Sequence, residues 1–127
     1  ESKSRGKDTY ISGGFVEKDM GFYKPVELEK KKIEINEQQF ETFKEIIQLL
    51  KEKEIDIVLV FAPVPKSNYT RYTNVSQIDS IMKSYSKYYN FNEMISLDDS
   101  LHFYDSHHLN QKGVEIFNKE LIKVLNK

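Results

Sequence analysis

Between about residues 37 and 53, Phe40, Phe43, Ile46, Ile47 and Leu50 recur at spacings of three and four against a face of Glu and Lys. Such periodicity predicts an amphipathic helix with one buried stripe. Asn36 stands where it can cap that helix, and Gln39 occupies the capping-box position three residues on. The next segment, Ile55 to Pro63, is almost continuously apolar, rich in β-branched residues and closed by proline. It predicts a strand buried on both faces of a parallel sheet. The segment Pro63 to Thr73, with Pro65, Ser67, Asn68 and Thr70, then has the chemistry of a loop.

A second helical stripe, Val75, Ile78, Ile81, Met82 and Tyr85, begins near Asn74 or Val75 and is expected to end near Tyr89 and Asn90. Tyr85, Tyr88 and Tyr89 share that spacing and read as core and rim packing. Phe91 to Ser96 predicts a short strand, Asp98 to Leu109 a polar and aromatic loop, and Asn110 to Leu125 a final helix. In that helix Val114, Phe117, Leu121 and Leu125 face inward, Asn110 can cap its start, and Gly113 lets it pack closely against its neighbour. Ahead of these elements, residues 1–9 read as a flexible polar tail, and Tyr10 to Phe22 as a glycine-bearing loop with a short strand at Tyr10 and Ile11. Pro25 and the charged run Glu29 to Lys32 lead into Ile33 and Ile35, the lysines reading as a solvated surface.

The order helix, strand, helix, strand, loop, helix predicts an α/β fold, a small parallel sheet with flanking helices joined by right-handed crossovers. A length of 127 residues suits a single domain over 1–127. A sheet of two or three parallel strands leaves an exposed edge, so the fold is expected to be incomplete at its N-terminus. Glu1 is not a methionine and no signal-peptide pattern follows it, which agrees with upstream sequence having been removed.

The charge balance excludes two classes of partner. With 19 basic and 20 acidic residues, no strong field favours nucleic acid or an anionic membrane. The longest apolar run is far shorter than the roughly 20 residues of a spanning helix. No membrane contact by this segment is therefore expected. The absence of cysteine excludes a disulfide framework and thiolate metal sites.

Candidate chemistry is concentrated late in the chain. His102, His107 and His108 lie within seven consecutive residues, after the last expected strand and before the last helix. In open α/β sheets, ligands bind at the carboxyl ends of the strands, where this loop emerges. Asp105 and His108, one short turn apart, can present carboxylate and imidazole to each other. A carboxylate on one ring nitrogen fixes the tautomer and leaves the other nitrogen to accept a proton. A zinc site built from His102, His107, His108 and Asp105 is not expected, because the spacing fits no familiar pattern and adjacent histidines rarely converge on one ion. In the preceding loop, Lys66, Asn68, Tyr69, Arg71 and Tyr72 mix donors with flat rings. They suit either the lining of a carbohydrate or acyl-donor groove or an ordinary solvated connection.

The stretch Tyr104-Asp105-Ser106-His107-His108-Leu109-Asn110-Gln111-Lys112-Gly113 contains the pattern Asp-x-x-His-Leu-Asn-x-x-Gly. It resembles the closing block of SGNH hydrolases, in particular the cell-envelope branch that acts in polysaccharide and teichoic-acid acylation. The resemblance implies a three-layer SGNH/flavodoxin-like sandwich in which His108 is the base and Asp105 its orienter. It further implies an acylated glycan or envelope polymer as substrate, no cofactor, and an extracytoplasmic location with a membrane anchor in upstream sequence. Asn68, Tyr69, Arg71 and Tyr72 would then contact substrate.

The early Gly-Asp-Ser block of that family and the middle blocks that supply the oxyanion-hole glycine and asparagine have no counterpart here. Ser12, beside Gly13 and Gly14, lacks the preceding buried strand and the Gly-Asp lead-in. The chain is accordingly expected to be the C-terminal part of an SGNH-like esterase or O-acyltransferase, inactive alone, whose serine lies upstream. It would pair with that missing part or with a second copy. One rival is a non-catalytic carbohydrate-binding or assembly module that keeps the fold without the serine. The other is a small metal-dependent hydrolase.

Overall fold

A computed structural model describes residues 9–11, 15–17 and 21–127. Ser12 and residues 1–8 of the expected tail lie outside them. Near the start, β1 (Thr9–Ile11) pairs antiparallel with β2 (Phe15–Glu17), with Tyr10 opposite Val16. The short strand expected at Tyr10 and Ile11 thus has a partner within what was read as loop.

The first long helix, α1 (Glu37–Glu52), starts where the cap predicts, the Asn36 side chain accepting the Gln39 N–H at 2.9 Å. Its end is a Schellman arrangement, in which the Ile55 N–H reaches Leu50 O, the Glu54 N–H reaches Lys51 O, and Glu54 adopts φ 57°. Ile47 is buried and Phe40, Phe43 and Leu50 are half-buried, but Ile46 faces solvent. Phe40 and Phe43 stack on each other, and Tyr85 meets both rings edge-on at 5.8 and 5.5 Å.

The expected strand over Ile55 to Pro63 contracts to β3 (Val58–Phe61). Among the described residues it is paired on one side, by one other strand, and it is half-buried with Val60 exposed. The loop after it contains one helical turn, α2 (Lys66–Tyr69), and α3 (Val75–Lys83) follows. Here the sequence expectation shifts by several residues. The second helix stops at Lys83 rather than near Tyr89, and Lys87–Asn90 is instead the strand β4, parallel to β3 with Leu59 opposite Tyr88. Phe91–Met94, expected as strand, is a helical turn, α4, capped by the Asn90 side chain. Tyrosine suits a strand as well as a helix, so Tyr88 and Tyr89 lie on β4, and Tyr88 donates to Asp79 on α3 at 2.7 Å.

After α4 the chain makes a further turn, α5 (Asp99–His102), within the expected loop, then a tight bend, then α6 (Gln111–Leu125). Phe91 and Phe103 are fully enclosed, and Phe91 meets Phe117 of α6 edge-on at 5.0 Å. Val124 is buried and Leu121 half-buried on the inward face of α6, whereas Leu125 is exposed, the helix having turned it outward. The result is a small α/β fold, a two-stranded parallel sheet flanked by helices.

Candidate active site

The bend between α5 and α6 is closed by backbone. Phe103 and Leu109 form an antiparallel bridge, and the Tyr104 N–H reaches His108 O at 2.7 Å. Inside it, Asp105 Oδ1 accepts the N–H groups of His107 and His108, both at 2.8 Å, the turn chemistry that a short carboxylate favours. The same carboxylate receives the His108 ring, with Nδ1 at 2.9 Å from Oδ1 and 3.0 Å from Oδ2. Partial burial pushes the Asp105 carboxyl up, but the His107 N–H, the His108 ring with its charge, and the His108 N–H outweigh it. They hold the carboxyl below its ordinary value.

The His108 side chain is 64% exposed, and its Nε2 makes no hydrogen bond among the described residues. An imidazole held by carboxylate on Nδ1 and open at Nε2 is the geometry of a general base. Its neighbour differs. His107 Nδ1 lies 2.7 Å from Ser106 Oγ, and no carboxylate among the described residues bonds to that ring. His102 accepts the N–H of Asp98, the cap of α5, on its Nδ1 at 2.8 Å. Among the described residues, no group of three or more histidines and carboxylates could hold a metal ion.

Asn110 fixes where the bend meets α6. Fully buried, it caps the helix by accepting the Gly113 N–H at 3.0 Å and donates to Leu101 O and Gly21 O at 2.8 and 3.0 Å. Gly113 packs so closely that an added Cβ would collide with the His102 carbonyl oxygen. The close packing expected of Gly113 is therefore against the chain of α5, and Asn110 is the expected cap with two further bonds.

The four residues read as a groove are divided. Asn68 is fully buried, its amide Nδ2 donating to Ser106 O at 2.8 Å, while its Oδ1 finds no donor among the described residues. Tyr69 is half-buried, packs edge-on against Phe61 and accepts from Asn90 Nδ2 at 2.9 Å. Arg71 Nε donates to Glu29 O at 3.0 Å, and Tyr72 bridges to Lys31. Those two tie the segment before α1 to the loop, as does Lys30, whose ammonium reaches Thr70 O at 2.7 Å rather than only solvent.

A cleft of about 380 Å³ lies at the carboxyl ends of both strands, walled by Pro63, Val64, Lys66 and Tyr69 after β3 and by residues 92–97 after β4. This is where ligands bind in open α/β sheets. Asp105 and His108 are not in its walls. Sequence reasoning passed over Asp99, whose carboxylate takes the Lys66 and Ser67 N–H groups at 2.6 and 3.0 Å and so sets α2 against α5. The only local signal was an acid in a polar loop, since its partners lie more than thirty residues away.

No family model, curated protein or solved structure matches the chain.

Proposed function

We propose that this chain is the C-terminal part of an SGNH-like serine esterase or O-acyltransferase, with His108 as base and Asp105 as its orienter. The observation that carries the reading is the double approach of both Asp105 oxygens to His108 Nδ1, which leaves an exposed Nε2 without a partner among the described residues. The Asp-x-x-His-Leu-Asn-x-x-Gly pattern and the position of the bend after β4 support it. On this reading the two-stranded sheet is one end of a three-layer SGNH/flavodoxin-like sandwich completed by upstream strands.

The chemistry is acyl transfer. A serine hydroxyl supplied from upstream adds to the ester carbonyl as His108 Nε2 takes its proton. Collapse of the tetrahedral adduct breaks the ester C–O bond, and the protonated imidazole returns the proton to the leaving alkoxide. Water or a sugar hydroxyl then repeats the sequence on the acyl-enzyme. The substrate class is an acylated glycan or envelope polymer, and the location extracytoplasmic, with an anchor upstream. Among the described residues, no helix is long and apolar enough to cross a membrane.

A second reading has its own support. No serine hydroxyl among the described residues bonds to the His108 ring, and a binding or assembly module that keeps the fold needs none. Hydrolysis of p-nitrophenyl acetate and release of acetate from an O-acetylated glycan by the full-length gene product separate the two. The esterase reading expects turnover that falls by about 10³-fold or more in His108→Ala. Turnover equal in wild type and variant, or none at all, favours the module.

A further inference from the structure

We infer that Asn68 is a positioning residue for the Asp105–His108 pair: its buried amide, carried on a turn anchored by Asp99, pins the Ser106 carbonyl and so fixes the bend that brings carboxylate and imidazole together. The inference rests on reading that pair as the acid–base centre, but its test does not depend on catalysis.

The bend is short of outside support. Asp105 Oδ1 collects two N–H groups and the His108 ring from within four residues, so these contacts hold only while the peptide units on either side of Ser106 keep their orientation. Asp105 and His108 are both exposed, at 47% and 64%. The Tyr104 to His108 bond closes the base of the bend. Its tip is held from outside by Asn68 Nδ2, which donates to Ser106 O at 2.8 Å across 38 residues of sequence.

Asn68 is itself immobilised. It is fully buried on α2, and a four-residue turn has little stability of its own. That turn is held at its start by the Asp99 carboxylate on the N–H groups of Lys66 and Ser67. At its end, the Tyr69 ring packs against Phe61. A fixed scaffold thus reaches the tip of an exposed bend through one part-buried hydrogen bond from a fully buried side chain. Holding a catalytic pair in register from a second layer is how sites keep their geometry to a fraction of an ångström. Asn68, enclosed with its amide on Ser106, acts on the pair and does not touch substrate.

The test follows the Asp105 carboxyl carbon by NMR as pH is lowered, in wild type, Asn68→Ala and Tyr69→Phe. The depressed midpoint requires the His107 and His108 donors to stay aimed at Asp105. In Asn68→Ala the midpoint is expected to rise toward the ordinary carboxyl value by about half a unit or more. Tyr69→Phe keeps the ring that packs against Phe61 and the Asn68 bond to Ser106, and should leave it unchanged. An Asn68→Ala protein with native helix signals and an unmoved Asp105 midpoint overturns the inference, and so does an equal rise in Tyr69→Phe. Should Asn68→Ala not fold, Asp99→Glu retains the charge while misplacing the carboxylate that anchors α2. A raised Asp105 midpoint there supports the inference, and an unmoved one overturns it. Either result leaves the esterase question to turnover.

Discussion

Asp105 serves two partners with one oxygen. Its Oδ1 ends the bend by taking the His107 and His108 N–H groups, and together with Oδ2 it faces the His108 ring. An amide at this position could still accept through its oxygen but would carry no charge to oppose an imidazolium. The carboxyl is held below its ordinary value by its donors against partial burial. Its contribution to stability is therefore complete above the unfolded value, near pH 4, and is lost as pH falls through the lower folded value. Urea unfolding of wild type and Asp105→Asn between about pH 6 and pH 3 is the check. The wild type should lose more of its midpoint over that interval than the variant, by a modest amount because the side chain is 47% exposed. Parallel declines would mean that the bend does not depend on the carboxylate charge.

At the scale of the element, the start of α6 decides where the bend stands. Asn110 is enclosed and makes three hydrogen bonds, to Gly113, Leu101 and Gly21. Asn110→Ala strands a helix N–H and two carbonyls, a cost of about 2–4 kcal/mol. Thermal denaturation should show it as a fall of many degrees, and a change of a degree or two would mean that Asn110 does not hold α6 to α5. This cap was legible in the sequence, as was Asn36 at the start of α1, because a cap is a local signal of one side chain and the next few N–H groups. The second half of the α3 pattern was not. Met82, Tyr85 and Tyr89 continue a helical spacing, yet Tyr88 and Tyr89 lie on β4, where parallel pairing with β3 across nearly thirty residues overrides it. A four-residue strand is too short for its alternation to compete with a helical period. Ile46 and Leu125 fell on apolar stripes but face solvent, since periodicity marks an apolar arc without fixing its width.

At the scale of the whole molecule, two short parallel strands, Phe91 and Phe103 at the centre, and flanking helices form a scaffold whose loops after β3 and β4 converge. The candidate pair was legible because Asp105 and His108 lie three residues apart and meet within one bend. Its supports were not. Asn68 and Asp99 act across 38 and more than thirty residues, and such bonds exist only once β3 and β4 are paired. For the same reason the groove read in Asn68, Tyr69, Arg71 and Tyr72 divides, with Asn68 enclosed, Tyr69 in a cleft wall, and Arg71 and Tyr72 engaged with Glu29 and Lys31. Whether His108 serves a nucleophilic serine is read by covalent labelling with a fluorophosphonate, followed by intact mass. One adduct per chain on the full-length gene product, none on residues 1–127 alone, and loss of the adduct in full-length His108→Ala is the predicted result; an unlabelled full-length protein, or one labelled equally with and without His108, would contradict it.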